Sequence, residues 1–220
     1  MTRYFFLTAF ILVAFVPVHI QATTILFLGD SLTAGYGVAS EQAYPSLIEK
    51  KMKHDYPTPA QVINGSISGS TSASALSRLR WYQQRQPEIL FLALGANDGL
   101  RGLDVKQLTA NLEKVVTVAH QNDMIVILAG MQMPPNYGVE YTAAFKNVYP
   151  QIAEKFHLIF VPFLLDGVAG KATLNQADGI HPNAAGHRHI AQLVYPYIQQ
   201  ALQHLSLLPI APTASQAIRQ

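Results

Sequence analysis

Cysteine is absent from the 220-residue chain. That excludes disulfides, thiolate metal sites and a cysteine nucleophile together. Charge is also sparse, at 13% of residues, with a formal net charge of +2 and no dense Lys/Arg cluster. Nucleic-acid binders carry a basic stripe, so no such partner is expected. The glycines at 29, 35 and 37 do not make a Gly-x-Gly-x-x-Gly fingerprint, and no Gly-Lys-Ser/Thr phosphate loop occurs. Nucleotide binding is therefore disfavoured. No second His/Asp/Glu group matches the Asp178/His181 pair, so neither a metal nor a cofactor is expected.

Charge is missing most completely at the start, where Arg3 is the only charged residue before Asp30. Tyr4 to Ile20 is almost wholly apolar, with Pro17 near its end and Ala22 a small residue before a cut. The pattern is that of a secretory signal peptide over 1–22, with Ile20 larger than usual at its position before the cleavage site. The stretch is short for a spanning helix and Pro17 sits badly in one. No other stretch could span a membrane. Export to the periplasm or medium is expected, without stable membrane insertion after cleavage.

Hydrophobic residues make up 50% of the chain, enough for one substantial core. Short apolar runs read as strands at Thr24–Leu28, Gln61–Asn64, Glu88–Leu94, Met124–Ala129 and Leu158–Val161. Helical periodicity falls between them, at Ala43–Tyr56, Ala73–Gln84, Leu103–His120, Tyr141–Phe156 and Ala184–Leu205. Pro150 is expected to kink or break the fourth of these helices. The Ser/Thr run before Ala73 offers a choice of N-caps. Strands alternating with helices predict a doubly wound α/β fold with parallel strands and right-handed crossovers. One domain over 23–205 and a loosely ordered tail over 206–220, holding Pro209 and Pro212, complete the expected organisation.

In such sheets ligands sit off the carboxyl ends of the strands. Ser31 follows the first strand, Gly69 the second, Asn97 the third, and Asp178 and His181 lie beyond the fifth. Their chemistry is complementary. A serine hydroxyl needs a base to take its proton, and His181 can be that base. A carboxylate must orient the imidazole and stabilise its charged form. Asp178 stands three residues upstream, with Gly179 between them to let the chain turn. The Ser31 and Gly69 backbone N–H groups and the Asn97 amide are natural donors to a developing oxyanion. His187 and His189 read as surface or packing residues.

Gly29-Asp30-Ser31-Leu32, Gly69 in its Ser-rich loop, Gly95-Ala96-Asn97-Asp98 and Asp178-Gly179-Ile180-His181-Pro182-Asn183 resemble the four blocks of the GDSL (SGNH) hydrolase family, in family order and spacing. Asn97-Asp98-Gly99-Leu100-Arg101-Gly102 and Pro134-Pro135-Asn136-Tyr137-Gly138 are similar to its bacterial periplasmic thioesterase/lysophospholipase branch, also described as arylesterases. The resemblance implies a three-layer, flavodoxin-like fold with five parallel strands. It implies Ser31 as nucleophile, His181 as base, Asp178 as its partner, and Ser31, Gly69 and Asn97 as oxyanion donors. The implied substrate is an acyl ester or thioester of a lipid, cleaved by a monomer through an acyl-enzyme. Met133 alone reads as ordinary core or as an acyl-chain contact. The resemblance favours the second, with Leu100 and Leu103 beside it. Ala96 stands where the branch usually has glycine, and Ser70 where an acidic residue is common. The rival functions are a carbohydrate O-deacetylase of the same fold and an inactive binding module.

Overall fold

A computed structural model describes residues 23–207 except Pro59. The expected signal segment and the tail from 208 onward lie outside the described residues.

The first strand, β1 (Thr24–Gly29), is buried along its whole length. The helical turn α1 (Ser31–Ala34) follows one residue later, and α2 (Tyr44–Asp55) then leads to β2 (Gln61–Asn64). Next come α3 (Ala75–Tyr82), β3 (Ile89–Ala93), the short α4 (Ala96–Leu100) and α5 (Val105–His120). β4 (Ile125–Ala129), α6 (Val139–Phe156), β5 (Ile159–Val161) and α7 (Ala184–Leu207) complete the described residues. All five strands are parallel, in the order β2-β1-β3-β4-β5. That order reverses direction between β1 and β3, where open sheets of this kind form their crevice. Ser31 and Asn97 stand on its two sides.

The layers follow from the pattern of the strands. β1 and β3 have no exposed position, because helices cover both faces of a parallel sheet. Helices α2 and α7 pack together on one face, and α3, α5 and α6 pack side by side on the other. Ile25, Leu26, Phe27, Leu28, Ile89, Leu90, Phe91 and Leu92 are fully buried between them. Each such side chain contributes about 1.5–3 kcal/mol on leaving water.

The structure departs from the sequence expectation at four places. α6 is continuous through Pro150. Pro150 is exposed, so the carbonyl that loses its amide partner faces solvent and stays hydrated. The Ser/Thr run makes no side-chain cap on α3, which is entered from a 3₁₀ turn over Ser72–Ser74. Gly95–Gly99, expected as a loop, contains most of α4, and α5 starts later at Val105, capped by Asp104. The last helix runs on to Leu207, two residues into the expected tail. Among the described residues no helix is long and apolar enough to cross a membrane.

Candidate active site

The site begins with the abrupt change of direction after β1. Asp30 caps α1, its Oδ1 accepting the Leu32 N–H at 3.0 Å and its carbonyl the Ala34 N–H at 2.8 Å. Ser31 becomes the first residue of a helical turn at the strand end, with its hydroxyl at the sheet edge. The turn is supported from behind. Thr33 Oγ1 lies 2.9 Å from the buried Tyr44 hydroxyl, and the Tyr44 N–H donates to His187 Nδ1 at 3.3 Å. His187 is thus a packing residue, and burial pushes its pKa down to about 4. Burial pushes Asp30 the other way, up to about 6, and its Oδ2 has no hydrogen-bond partner.

The second part of the site arrives from the loop before α7. His181 Nε2 lies 2.9 Å from Ser31 Oγ, although 150 residues separate them in sequence. His181 Nδ1 lies 2.7 Å from Asp178 Oδ2. A carboxylate only accepts, so Nδ1 carries the proton and Nε2 is left to accept from the Ser31 hydroxyl. Asp178 Oδ1 accepts the Ile180 and His181 N–H groups, each at 3.0 Å. The His181 backbone and side-chain bonds, then the Ile180 N–H, hold the Asp178 carboxyl down at about 2. It is ionised throughout the range in which imidazole titrates.

The third part lies across the crevice. Gly69 has φ +78, which an L side chain adopts only with strain, and a Cβ there would meet Arg101 Nη2 at 4.0 Å. The Ser31 and Gly69 N–H groups take no part in the hydrogen bonding of the described residues. The Asn97 amide donates to the Ser70 carbonyl at 3.1 Å, leaving its second N–H for another acceptor. Two buried side chains fix these donors. Asp98 accepts from the Ser72 N–H at 2.8 Å and the Ser72 hydroxyl at 2.6 Å. Arg78 donates to the carbonyls of Gly29 and Gly65 and to Ser70 Oγ, so Ser70 takes up a buried guanidinium bond. Arg101 donates to the Gly69 carbonyl at 3.0 Å from the outside.

The structure therefore brings together Ser31, Gly69, Asn97, Asp178 and His181. It also packs Met133 against Gly99 of α4, with Leu100 at the end of α4 and Leu103 just after it exposed. Met133 is part-buried against the core, which fits the packing alternative. Asp98, Arg78, Ser72 and Gln176 escaped sequence reasoning. Only Asp98 carried any signal, as the neighbour of Asn97.

A hydroxyl, an imidazole and a carboxylate in series, beside free N–H donors at a sheet edge, form the arrangement of an acyl-transferring hydrolase. Residues 27–189 match the GDSL-like lipase/acylhydrolase family, and the chain belongs to it. It is 39% identical over 185 residues to esterase TesA of Pseudomonas aeruginosa, covering 82% of this chain and 90% of that one. It is 36% identical over 184 residues to thioesterase 1/protease 1/lysophospholipase L1 of Escherichia coli K12, covering 83% and 86%. Among solved structures, the psychrotrophic esterase EstA from Pseudoalteromonas sp., inhibited by monoethylphosphonate, superposes with a TM-score of 0.78 at 36% identity. That match covers 82% of this chain and 99% of the other. The protein is an ester-hydrolysing enzyme.

Proposed function

We propose that this enzyme is an exported serine hydrolase that cleaves esters or thioesters of acyl lipids through an acyl-enzyme on Ser31. The observation that carries the reading is the series Ser31 Oγ to His181 Nε2 at 2.9 Å and His181 Nδ1 to Asp178 Oδ2 at 2.7 Å. His181 takes the hydroxyl proton as Ser31 Oγ attacks the acyl carbon. The carbonyl electrons move onto oxygen, and the Ser31, Gly69 and Asn97 donors receive that charge. The tetrahedral species collapses, His181 returns the proton to the leaving alkoxide or thiolate, and the acyl group stays on Ser31. Water, deprotonated by His181, reverses the sequence and releases the acid. Asp178 stays ionised and stabilises the imidazolium at each stage.

Exposed apolar side chains support an acyl substrate. Exposed Tyr36, Ile67, Leu100, Leu103, Val139 and Ile180 all follow the carboxyl ends of strands in the chain. The names of the E. coli relative support the thioester and lysophospholipid classes. Export rests on the apolar first segment with its single charge at Arg3.

The test is hydrolysis of a panel of chromogenic acyl esters, acyl thioesters, lysophospholipids and acetylated sugars. Turnover of the acyl esters and thioesters is expected, with Ser31→Ala folded but slower by orders of magnitude. A serine-directed phosphonate should add its mass to Ser31. Wild-type turnover in Ser31→Ala would remove the acyl-enzyme. Activity confined to acetylated sugars would replace the lipid substrate.

A further inference from the structure

Ser31 and His181 reach each other from opposite ends of the chain, so something must set the distance between their loops. We infer that Gln176 is a positioning residue that clamps the base loop to the nucleophile loop. The inference rests on the reading of Ser31 and His181 as nucleophile and base.

The Tyr36 N–H donates to the Ser31 carbonyl at 3.1 Å, which ties the end of the nucleophile loop to its start. Gln176 Nε2 then donates to the Tyr36 carbonyl at 2.6 Å and to the Pro182 carbonyl at 3.0 Å. Both amide protons are thus used, one on each loop. The Gln176 N–H donates to the His181 carbonyl at 2.8 Å, and the Gln176 carbonyl accepts the Gly179 N–H at 3.0 Å. One residue therefore grips the base loop through its main chain and the nucleophile loop through its side chain.

The fit is close on the nucleophile side. Gly37 packs directly against the Gln176 amide, where any Cβ would collide with it. The bond also places Tyr36, whose ring lies 4.7 Å from the His181 ring, centroid to centroid. The imidazole is thus held by Asp178 at Nδ1 and covered by Tyr36 on one side. Asp178 sets its tautomer from within its own loop, whereas the path through Gln176 links that loop directly to the one carrying Ser31. Small misplacements of a base cost large factors in rate.

Two substitutions separate this role from a structural one. Gln176→Leu removes both donors at similar size. Gln176→Glu keeps the shape but replaces the double donor by an acceptor facing two carbonyls. The measurements are kcat and KM on short and long acyl esters, the rate of phosphonate modification of Ser31, and the downfield proton NMR signal of the His181 Nδ1–H. Both variants should lose kcat by about 10- to 100-fold at every acyl length, with KM within a few-fold of wild type. Phosphonate modification should slow by a matching factor while still falling on Ser31. The downfield signal should persist, because the Asp178 bond is local. Wild-type kcat and modification rates in a folded Gln176→Leu would overturn the clamp. So would a loss confined to KM, or a rate loss that vanishes at temperatures well below the melting point. Modification of wild type elsewhere than Ser31 would instead overturn the underlying reading.

Discussion

The two sides of the crevice are built in opposite ways. On the acid–base side the carboxylate is exposed and locally held: Asp178 is 38% exposed, and its oxygens are satisfied by groups two and three residues away. The donor side is buried and non-local: Asp98 is 3% exposed and Ser72 1%, and the bonds joining them span 26 residues. Arg78 reaches across 49 residues to the Gly29 carbonyl. Exposed charges contribute little to stability, whereas a buried polar group left unpaired costs its full desolvation. Damage on the acid–base side should therefore stop chemistry and spare the fold. Damage on the donor side should reach both.

The largest expected effect is on the exposed side. Asp178→Asn should reduce kcat by about 10⁴-fold, because the imidazole loses its tautomer and the partner of its charged form. Its melting temperature should stay within a degree or two of wild type. A melting loss of ten degrees would break the contrast, since it would make the exposed loop structural.

Next comes the amide that faces the crevice. Asn97→Ala should lower kcat by about 10²–10³-fold with a smaller effect on KM, because a donor to the oxyanion acts in the transition state. A change in KM alone would make Asn97 a ground-state contact. The variant also loses the bond to the Ser70 carbonyl, so some melting loss is expected here and not in Asp178→Asn.

The buried clamp should give the mixed result. Asp98→Ala strands the Ser72 N–H and hydroxyl and should cost about 3 kcal/mol by chemical denaturation. It also frees the Gly69–Ser72 loop from the Asn97 loop, so kcat should fall by about 10–100-fold through misplaced donors. A stability loss with unchanged kcat would show that the donors are set elsewhere, with the Arg78 and Arg101 bonds the candidates.

The same contrast explains what could be read from the sequence. All five strands were legible, the central ones because uninterrupted apolar runs such as Ile89–Ala93 mark buried parallel strands, whereas the stretch after β3 concealed the turn of α4. The Asp178–His181 pair was legible because its order is local: three residues and one turn contain it. Asp98, Arg78 and Gln176 were not, because their partners are remote and their residue types say nothing of burial. Arg78 in particular is a charged residue in mid-helix, yet it is 9% exposed and bonds the Gly29 carbonyl. The Ser/Thr run misled for the same reason, since Ser72 serves Asp98 rather than a helix end. Pro150 misled because its position on the solvent face could not be known before α6 was placed.

The smallest effect on activity, and the finest version of the contrast, concerns two buried groups around the nucleophile turn. Asp30 has its pKa raised from 3.8 to about 6, chiefly by burial. Between those values the folded state holds a proton that the unfolded state has lost. Its contribution to stability is therefore full below about pH 4 and lost as pH rises through about 6. His187 runs the other way, from 6.5 down to about 4, again through burial. Its contribution is full above pH 6.5 and lost as pH falls through about 4. Each shift corresponds to roughly 3 kcal/mol. The two slopes oppose each other over the same window, so wild-type stability between pH 4 and 6 should be nearly flat in denaturant titrations. Asp30→Asn keeps an acceptor for the Leu32 N–H but cannot ionise. It should remove the Asp30 slope and expose that of His187, so that the variant loses stability on acidification from pH 6.5 to 4. His187→Asn should show the reverse, gaining relative stability as pH falls. Parallel profiles for wild type and Asp30→Asn would mean that the Asp30 carboxyl does not titrate in this window, and that the turn carrying Ser31 tolerates a buried carboxylate at no proton-linked cost.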